Sequence, residues 1–357
     1  MKILIDIGHP AHVHLFKNFS FIMQGKGHKL LFTTRDKDVA VKLLEEYKLN
    51  YVNIGKPYKG IIKKIIGMFI FDFRLLKICK RFKPDLFLSH GSIYAAQVAW
   101  LLNKKHYTFE DSNCKEQILL FKPFSDIILS PDAITDIYGK NHIKFNGFLQ
   151  NAYLHPNYYK PNNKIYDYLR IDKSERYFLL RFVGLEATHD RKLKPIELES
   201  TMRIIELLEK YGKVFISSER KLDDILSRYE VKIPPKMMHD LIYFSDLLIG
   251  DSGAMSNEAA LLGVPNIVIV DADVDVHEKL VSLGLKYHVK SYSQELLLFI
   301  KKIVEDNKQK EELRRKVHSY FNNSIDLTEF LIWLVENHHK IKNNTYIKKS
   351  QWSKYVQ

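Results

Sequence analysis

The segment IGDSGAMSNEAALLGVPNIVIV (residues 249–270) constrains the fold more than any other part of the chain. The segment begins where an apolar run ends. Small residues then form a loop, and Ser252 or Asp251 can end this loop by capping a helix. Good helix formers continue to Gly263, which suits a helix C-terminus, and Pro265 prevents further helix. A β-branched run then predicts a strand buried on both faces. The segment therefore predicts a strand–helix–strand unit within a parallel sheet.

The same alternation of short apolar runs and helix-forming stretches extends over the chain. In the first half, the predicted strands are at residues 2–7, 29–33, 51–54, 85–89, 105–109 and 126–129. A polar, Pro-containing linker at residues 157–164 precedes a second series, which begins at residues 177–182. Such alternation indicates parallel sheets with right-handed crossovers. We predict an α/β chain of two Rossmann-like domains, residues 1–155 and 165–325, followed by a helix and a basic tail at residues 326–357.

Composition narrows the class of protein. The chain has 357 residues, 46% of them hydrophobic, which is enough for two cores, yet it has no apolar stretch of about 18 residues that could span a membrane. Its first residues predict a strand rather than a signal peptide, and its two cysteines, Cys79 and Cys114, provide no disulfide framework. We therefore expect a cytoplasmic protein. The net charge of +13 predicts an anionic partner, which can be a nucleotide, a nucleic acid or a membrane surface.

The loop before the predicted helix of residues 254–262 has the features of an anion site. A helix that begins near Gly253 directs its unpaired backbone N–H groups, at the positive end of the helix dipole, toward this loop. Such an end binds a phosphate or diphosphate without a side-chain cation. Glu258, just over one turn further, can accept hydrogen bonds from vicinal hydroxyls such as those of a ribose. An ordinary turn followed by a solvated glutamate fits the same spacing.

This stretch resembles the donor-nucleotide motif of GT-B glycosyltransferases and of the related UDP-N-acetylglucosamine 2-epimerases. The resemblance implies that Glu258 binds the nucleotide ribose and that the diphosphate contacts the loop formed by Ser252, Gly253, Ala254 and Met255. It extends over nearly the whole chain and implies the GT-B fold, in which two Rossmann-like domains face each other across a cleft. The segments GHPAHVHLFKN, HGS, FEDS, LLRF and GDSGAM also resemble a bacterial and archaeal GT-B-like family that has no assigned activity.

Polar residues follow several predicted strands of the first domain, at the sheet edge where parallel α/β folds bind ligands. A histidine there can deprotonate an acceptor hydroxyl, because its pKa suits neutral pH. A carboxylate can serve as acid or base, although neighbouring side chains along a strand point to opposite sides. The candidates are His9, His12, His14, Glu110 and Asp111 for catalysis, and His90, Gly91 and Ser92 for binding an acceptor anion. Capping or solvent-exposed roles fit the same residues.

In the second domain, the resemblance implies that Arg181 stabilises the departing nucleotide, because a cation there neutralises the charge that develops on the leaving group. A salt-bridging arginine at the surface is the alternative. The loop after Arg181 contains Glu186, Thr188, His189, Asp190 and Arg191. The end of the next strand contains Ser217, Ser218 and Glu219, which we expect to line the same site.

The DADVD sequence invites comparison with a metal-binding D-x-D motif. Its carboxylates are Asp271, Asp273 and Asp275. It follows a strand of a GT-B-like domain, and proteins that resemble this fold usually need no metal. We therefore expect loop and cap residues here and no metal site.

These features predict a metal-independent glycosyltransferase whose substrate is a nucleotide sugar, which we expect to be UDP-linked, and which needs no separate cofactor. The expected acceptor is a cell-surface polysaccharide or a lipid-linked glycan. A non-hydrolysing nucleotide-sugar 2-epimerase is the alternative, although the chain has Gly8-His9-Pro10-Ala11 where those epimerases have Gly-Thr-Arg-Pro-Glu. A nucleic-acid-binding protein is less favoured, because no helix-turn-helix, zinc or RNA-binding signature is present.

Residues 56–83, KPYKGIIKKIIGMFIFDFRLLKICKRFK, carry a net charge of +8. Their apolar residues recur at helical spacing, and most of their basic residues fall elsewhere on the helix. A basic helix with an apolar face suits an anionic membrane surface, which predicts peripheral association with the inner membrane face. A core helix with a solvated basic face is the other interpretation.

Overall fold

The computed structural model describes residues 1–35, 38–56, 58, 60–112, 114–184, 196–271, 275–337 and 346–347. The chain divides into two compact units, which we call the first unit and the second unit. The first consists of Met1–Tyr158 with Asn323–Gln357, and the second of Tyr159–Asn322.

Within the described residues, the first unit contains a parallel sheet of eight strands. These strands are β1 (Lys2–Ile7), β2 (Lys29–Thr34), β3 (Tyr51–Asn53), β4 (Leu86–His90), β5 (Lys105–Phe109), β6 (Ile127–Pro131), β7 (His142–Phe145) and β13 (Tyr346–Ile347). Their order in the sheet is β13-β7-β6-β5-β4-β1-β2-β3. The strand β1 lies between β2 and β4, with Ile5 opposite Phe32 on one side and Leu88 on the other.

Helices cover both faces of this sheet. They are α1 (Pro10–Gly25), α2 (Asp38–Glu46), α3 (Ile61–Phe82), α4 (Ile93–Leu101), α5 (Lys115–Phe121), α6 (Asn151–Leu154) and α15 (Leu327–Asn337). On one face, Leu4 and Phe87 pack with Leu75 of α3 and Val98 of α4. On the other face, Phe16 of α1 lies 5.9 Å from Phe109, measured between ring centroids. The central strands β1, β4 and β5 are therefore buried on both faces, as is usual in a parallel sheet between two layers of helices.

The last helix, α15, packs against α1 and α6 of the first unit. Thr328 and Asn18 both donate hydrogen bonds of 2.8 Å to the carbonyl of Ala152. Just before the helix, the side chain of Asn151 donates to the carbonyl of Ile325 at 3.0 Å. Residues 326–357, which the sequence suggests as a separate closing segment, are therefore assigned to the first unit.

Among its described residues, the second unit contains a parallel sheet of five strands in the order β12-β11-β10-β8-β9. The strands are β8 (Tyr177–Phe182), β9 (Lys213–Ser218), β10 (Leu247–Gly250), β11 (Asn266–Ile269) and β12 (Tyr287–Val289). The helices are α7 (Ile165–Leu169), α8 (Leu198–Leu208), α9 (Asp224–Ser227), α10 (Met238–Phe244), α11 (Gly253–Leu261), α12 (Asp275–Ser282), α13 (Gln294–Glu305) and α14 (Gln309–Asn323). Both units are parallel α/β structures, which confirms the predicted fold class. Among the described helices, none is long and apolar enough to cross a membrane.

Candidate functional site

The carboxyl ends of β1, β4 and β5 bring four predicted site residues of the first unit together. The rings of His12 and His90 stack with centroids 4.4 Å apart and planes inclined by 28°. The ring of His9, whose Nδ1 caps α1, lies 5.9 Å from that of His12. Nε2 of His90 lies 2.9 Å from Oδ1 of Asp111. We call His9, His12, His90 and Asp111 the histidine cluster.

The histidine cluster lies next to a buried carboxyl group, Glu110. Burial opposes the charged form of His90, but the hydrogen bond to Asp111 and the charges of Asp111 and Glu110 outweigh it, so the pKa of His90 is raised. Burial also raises the pKa of Glu110, against the charge of His90 and a 2.7 Å hydrogen bond from the Ser112 amide. Two neighbouring groups therefore both favour their protonated forms: His90 binds a proton more tightly than usual, and the carboxyl group of Glu110 ionises less readily than usual.

Gly91 and Ser92 shape the loop that carries His90. Gly91 has a φ of +57°, which favours glycine, and a Cβ there would lie 2.9 Å from Nε2 of Gln117 and 3.3 Å from Oε2 of Glu110. Ser92 caps α4 by accepting from the Ala95 amide, and its hydroxyl donates to Asp6 at 2.6 Å. Gly91 and Ser92, two of the three predicted acceptor-binding residues, thus hold the loop that carries the third, His90.

A buried carboxylate, Asp6, anchors this edge of the sheet. It accepts hydrogen bonds from Thr33 at 2.8 Å and from Arg35 at 3.0 Å, besides the one from Ser92. Sequence reasoning did not select Asp6 or Arg35 as site residues. The available signal is the acid inside the apolar run KILIDI, because a buried carboxylate requires hydrogen-bonding or charged partners.

The remaining predicted catalytic residue, His14, lies apart from the histidine cluster. It is buried on α1, where its Nδ1 is 3.4 Å from the hydroxyl of Tyr47. Its ring lies 5.5 Å from that of Tyr153. The helix therefore presents His12 and His14 to different neighbours.

In the second unit, Arg181 links the ends of β8 and β9. Its Nη1 donates to the hydroxyl of Ser217 at 2.9 Å, and its Nη2 donates to the carboxylate of Glu219. Its Nε is buried without a hydrogen-bond partner among the described residues. The hydroxyl of Ser218 instead donates to the carbonyl of Arg220 at 2.7 Å. Of the three residues predicted at the end of this strand, Ser217 in β9 and Glu219 just after it thus contact Arg181 directly.

The start of α11 follows the neighbouring strand β10. Ser252 is the observed cap, because its hydroxyl accepts from the Met255 amide at 3.3 Å. Asp251 instead accepts from the Val183 amide at 2.8 Å and from Arg220 at 2.9 Å. Ser252 and Met255 are buried, whereas Ala254 is exposed. The first turn of α11 is therefore capped, with an exposed methyl group beside the backbone N–H groups.

Glu258 is buried on α11, and its Oε1 lies 3.2 Å from Nε2 of His239 on α10. Burial lowers the pKa of Arg181, while the charges of Glu219, Glu258 and Asp251 oppose that shift. These charges act on Arg181 because the ends of β8, β9 and β10 converge. Sequence reasoning did not identify His239, which lies on a separate short helix.

Two sets of predicted residues fall wholly or partly outside the described residues. The loop with Glu186, Thr188, His189, Asp190 and Arg191 lies outside them, as does Asp273. Asp271 is exposed, with Oδ1 3.9 Å from Nζ of Lys290, and Asp275 begins α12. In the described part of the chain, no group of three or more His, Cys, Asp or Glu side chains is arranged to hold a metal ion.

Comparisons with known proteins place these features in context. A family model described as "Protein of unknown function (DUF354)" matches residues 1–329. The chain is 25% identical to an uncharacterized protein of Methanocaldococcus jannaschii over 281 residues, which are 75% of this chain and 81% of that protein.

Two of the solved structures that match share the fold over most of the chain. The UDP-GlcNAc 2-epimerase of Neisseria meningitidis, bound to UDP-GlcNAc, matches with a TM-score of 0.65 and 15% identity, covering 94% of this chain and 100% of the epimerase. The glycosyltransferase SsfS6 of Streptomyces sp. SF2575, complexed with thymidine diphosphate, matches with a TM-score of 0.61 and 15% identity, covering 94% of this chain and 99% of SsfS6. The fold is therefore GT-B, as the resemblance implied.

Proposed function

This chain belongs to the family described as "Protein of unknown function (DUF354)" and has the GT-B fold, and from this premise we propose that it is a glycosyltransferase that uses a UDP-linked sugar. The observation that carries the proposal is the capped first turn of α11, with Glu258 just over one turn further and Arg181 on the neighbouring strand. A helix start of this kind suits a diphosphate, and Glu258 suits a ribose. The epimerase bound to UDP-GlcNAc and SsfS6 bound to thymidine diphosphate support a nucleoside diphosphate as the ligand.

The proposed role of Arg181 is to stabilise the nucleoside diphosphate as it leaves the sugar. Its guanidinium group is already oriented by Ser217 and Glu219, so little reorganisation is needed when negative charge develops. Together with the N-terminus of α11, this cation supplies positive charge without a metal. We therefore expect transfer to continue after treatment with EDTA.

The proposed role of the histidine cluster is proton transfer with the acceptor. A sugar hydroxyl becomes a stronger nucleophile when a base removes its proton, and His9 and His12 are the candidates for that base. His90 stacks on His12 and is held by Asp111, which fixes the ring and stabilises its protonated form. Glu110, with its raised pKa, is the candidate acid.

An epimerase is the second candidate, because the Neisseria meningitidis epimerase matches as large a share of this chain as the glycosyltransferase SsfS6 does. The two candidates differ in their need for an acceptor. An epimerase converts UDP-GlcNAc to its 2-epimer in the absence of any acceptor, and proton NMR resolves the two sugars. Formation of the epimer would replace the transferase proposal, whereas unchanged UDP-GlcNAc leaves the transferase as the favoured function.

A thermal-shift panel tests the proposed ligand class. The panel contains UDP, TDP, GDP, ADP and the corresponding nucleotide sugars, with duplex DNA as the control for the basic charge of the chain. A nucleotide at 100 times its dissociation constant adds about 2.7 kcal/mol to the free energy of unfolding, which gives a clear shift. We expect stabilisation by UDP and UDP-sugars. A shift with DNA and none with nucleotides would contradict the proposal.

The proposal includes contact between α3 and an anionic membrane surface. One face of α3 is buried through Phe71, Leu75 and Cys79, whereas large apolar side chains on another part of the helix are exposed. Those side chains are Ile65, Ile66, Phe69 and Phe73. Phe73 is 71% exposed, although burying such a side chain is worth about 1.5–3 kcal/mol.

Basic side chains border these apolar groups. Ile66, Phe69, Ile70 and Phe73 line a shallow groove together with Arg74 and Lys77, and Lys63, Lys80 and Arg81 are also exposed on α3. Apolar groups beside cations complement the acyl chains and anionic headgroups of a membrane surface. A lipid-linked acceptor would be reached from such a surface.

A further inference from the structure

His277, in the first turn of α12, lies against the first residue of α11. A Cβ at Gly253 would lie only 2.6 Å from Cε1 and 2.7 Å from Nε2 of the His277 ring. Real Cβ atoms do not approach other atoms so closely, so the imidazole occupies the space that a side chain at position 253 would need. The edge of the ring that carries Nε2 therefore faces the N-terminus of α11.

The other ring nitrogen of His277 identifies the tautomer. Nδ1 is buried, and among the described residues it has no hydrogen-bond partner. Buried N–H groups without a partner are rarer than buried acceptors without one. We therefore assign the hydrogen of the neutral ring to Nε2, which leaves Nδ1 as the unprotonated acceptor.

The surroundings of His277 favour this neutral ring. The residue is 8% exposed, and burial lowers its pKa to about 3, with further lowering by Lys286 and His288. The ring of His288 lies 6.2 Å away in an edge-to-face arrangement, and its Nε2 faces the carbonyl of Val270 at 2.7 Å. At neutral pH, His277 thus presents an uncharged N–H donor to the start of α11.

We propose that His277 is a binding residue for the donor diphosphate, whose Nε2–H donates to a phosphate oxygen held at the N-terminus of α11. The inference rests on the proposed function, because it requires a diphosphate at this helix start. A neutral N–H donor adds to the backbone N–H groups of the first turn, which bind phosphate in the same way. Gly253 is then needed because a side chain at this position would meet the imidazole.

Isothermal titration calorimetry with UDP tests the inference. His277→Leu introduces an apolar side chain of similar size that lacks the N–H. We expect the affinity of this variant for UDP to fall about tenfold, as for the loss of a hydrogen bond to a charged group. His277→Gln places an amide N–H near the same position, and we expect it to recover most of that loss. His318→Leu, which changes an exposed histidine of the same unit, should bind UDP like the wild type.

The outcomes separate this inference from the proposed function. If the wild type binds no nucleotide, the proposed function is wrong. If the wild type binds UDP and His277→Leu binds it equally well, only the role of His277 is overturned. Equal losses in the Leu and Gln variants would also overturn it, because the N–H would then not be the active feature.

A measurement on the wild type covers the case in which the variants do not fold. In a long-range proton–nitrogen NMR spectrum, His277 should show the hydrogen on Nε2, and saturating UDP should shift the Nε2 resonance. A hydrogen on Nδ1, or an Nε2 resonance that UDP leaves unchanged, contradicts the inference.

Discussion

The single residues of the candidate sites are defined by their partners rather than by their positions in the sequence. The sequence predicts different roles for His90 and Asp111, acceptor binding and catalysis, yet the two form one hydrogen-bonded pair. For Ser92 it predicts anion binding, whereas the hydroxyl of Ser92 donates to the buried Asp6. The residue types were therefore predictable from strand ends, whereas the pairings depend on strands β1, β4 and β5 lying side by side.

The hydrogen bond between His90 and Asp111 predicts that the pKa of His90 depends on Asp111. Asp111→Asn removes the charge and much of the hydrogen bond that raise the pKa of His90, so this pKa should fall. Proton NMR of the imidazole over pH 5 to 9 measures it. An unchanged pKa in the variant would show that Asp111 does not stabilise the protonated ring.

The same pair predicts a dependence of stability on pH. Because the pKa of His90 is higher in the folded chain, its contribution is fully present below the unfolded pKa of about 6.5 and is lost as pH rises through the folded pKa. The loss of unfolding free energy in Asp111→Asn should therefore be larger at pH 6 than at pH 9. Urea denaturation at both values checks this, and a pH-independent loss contradicts it.

Glu258 predicts a change in nucleotide affinity. Glu258→Ala should weaken UDP binding by roughly 1.5–3 kcal/mol, the value of hydrogen bonds to a charged group. Alanine is a good helix former, but the change leaves His239 without this carboxylate. Glu258→Gln, which keeps an acceptor toward His239, is the matched control for folding. Calorimetry that gives the wild-type affinity for Glu258→Ala would reject the ribose assignment.

Lys286 predicts a second dependence of stability on pH. It is buried and donates to Asn257 at 2.7 Å, and in the described part of the chain it forms no ion pair. Burial lowers its pKa to about 7. Between that value and the ordinary lysine pKa of about 10.4, the unfolded chain binds more protons, so the free energy of unfolding should rise with pH in this range.

Lys286→Met isolates this effect because it removes the titrating group and keeps an unbranched side chain of similar length. The variant should gain most, relative to the wild type, near pH 7, and this gain should shrink as pH approaches 10. Urea denaturation at three pH values measures the difference. A difference that does not change with pH would mean that Lys286 keeps an ordinary pKa in the folded chain.

At the scale of elements, apolar patterns predicted most strands, but not β7, β12 or β13, and they predicted the helix ends less well. β5 and β8 have the predicted bounds, and their sequences, KHYTF and YFLLRF, are rich in the aromatic and β-branched residues that favour strands. The helix α1 begins at Pro10, where the side chain of His9 caps it. Histidine is not among the preferred caps, so composition gave no signal there.

The two interpretations of residues 56–83 both describe part of α3. Its buried face belongs to the core, as the interpretation as a core helix requires, and its exposed apolar side chains are available for the membrane contact that we propose. Periodicity could not separate these faces, because apolar residues occur on both. The division depends on which side of α3 packs against the sheet.

The membrane proposal predicts charge-dependent binding to vesicles. Changing Lys63, Lys77 and Lys80 to Glu reverses three exposed charges, each worth about 1 kcal/mol near an anionic surface. The wild type should co-sediment with anionic vesicles more than with neutral ones, and the variant should lose this preference. Three exposed lysines elsewhere, Lys104, Lys173 and Lys232, form the matched control. Equal partitioning of wild type and the α3 variant at low salt contradicts the proposal.

At the scale of the whole molecule, the sequence predicted two parallel α/β structures but not the course of the chain between them. α15 belongs to the first unit, and the bond from Thr328 to Ala152 joins residues 176 positions apart. Local propensity carries no information about such contacts. The same limit applies to the donor site, where the motif predicted the capped α11 and Glu258 but not His239, Arg220 or His277, which lie on other elements.

The central claim is that the start of α11 binds the nucleoside diphosphate of a sugar donor. Hydrogen exchange with mass spectrometry, with and without saturating UDP, tests this location directly in the unmodified chain. We predict slower deuterium uptake in peptides that cover residues 250–262, with little change in peptides of β4 and α4. Binding of UDP that leaves residues 250–262 unprotected, or no binding of UDP at all, would contradict the claim.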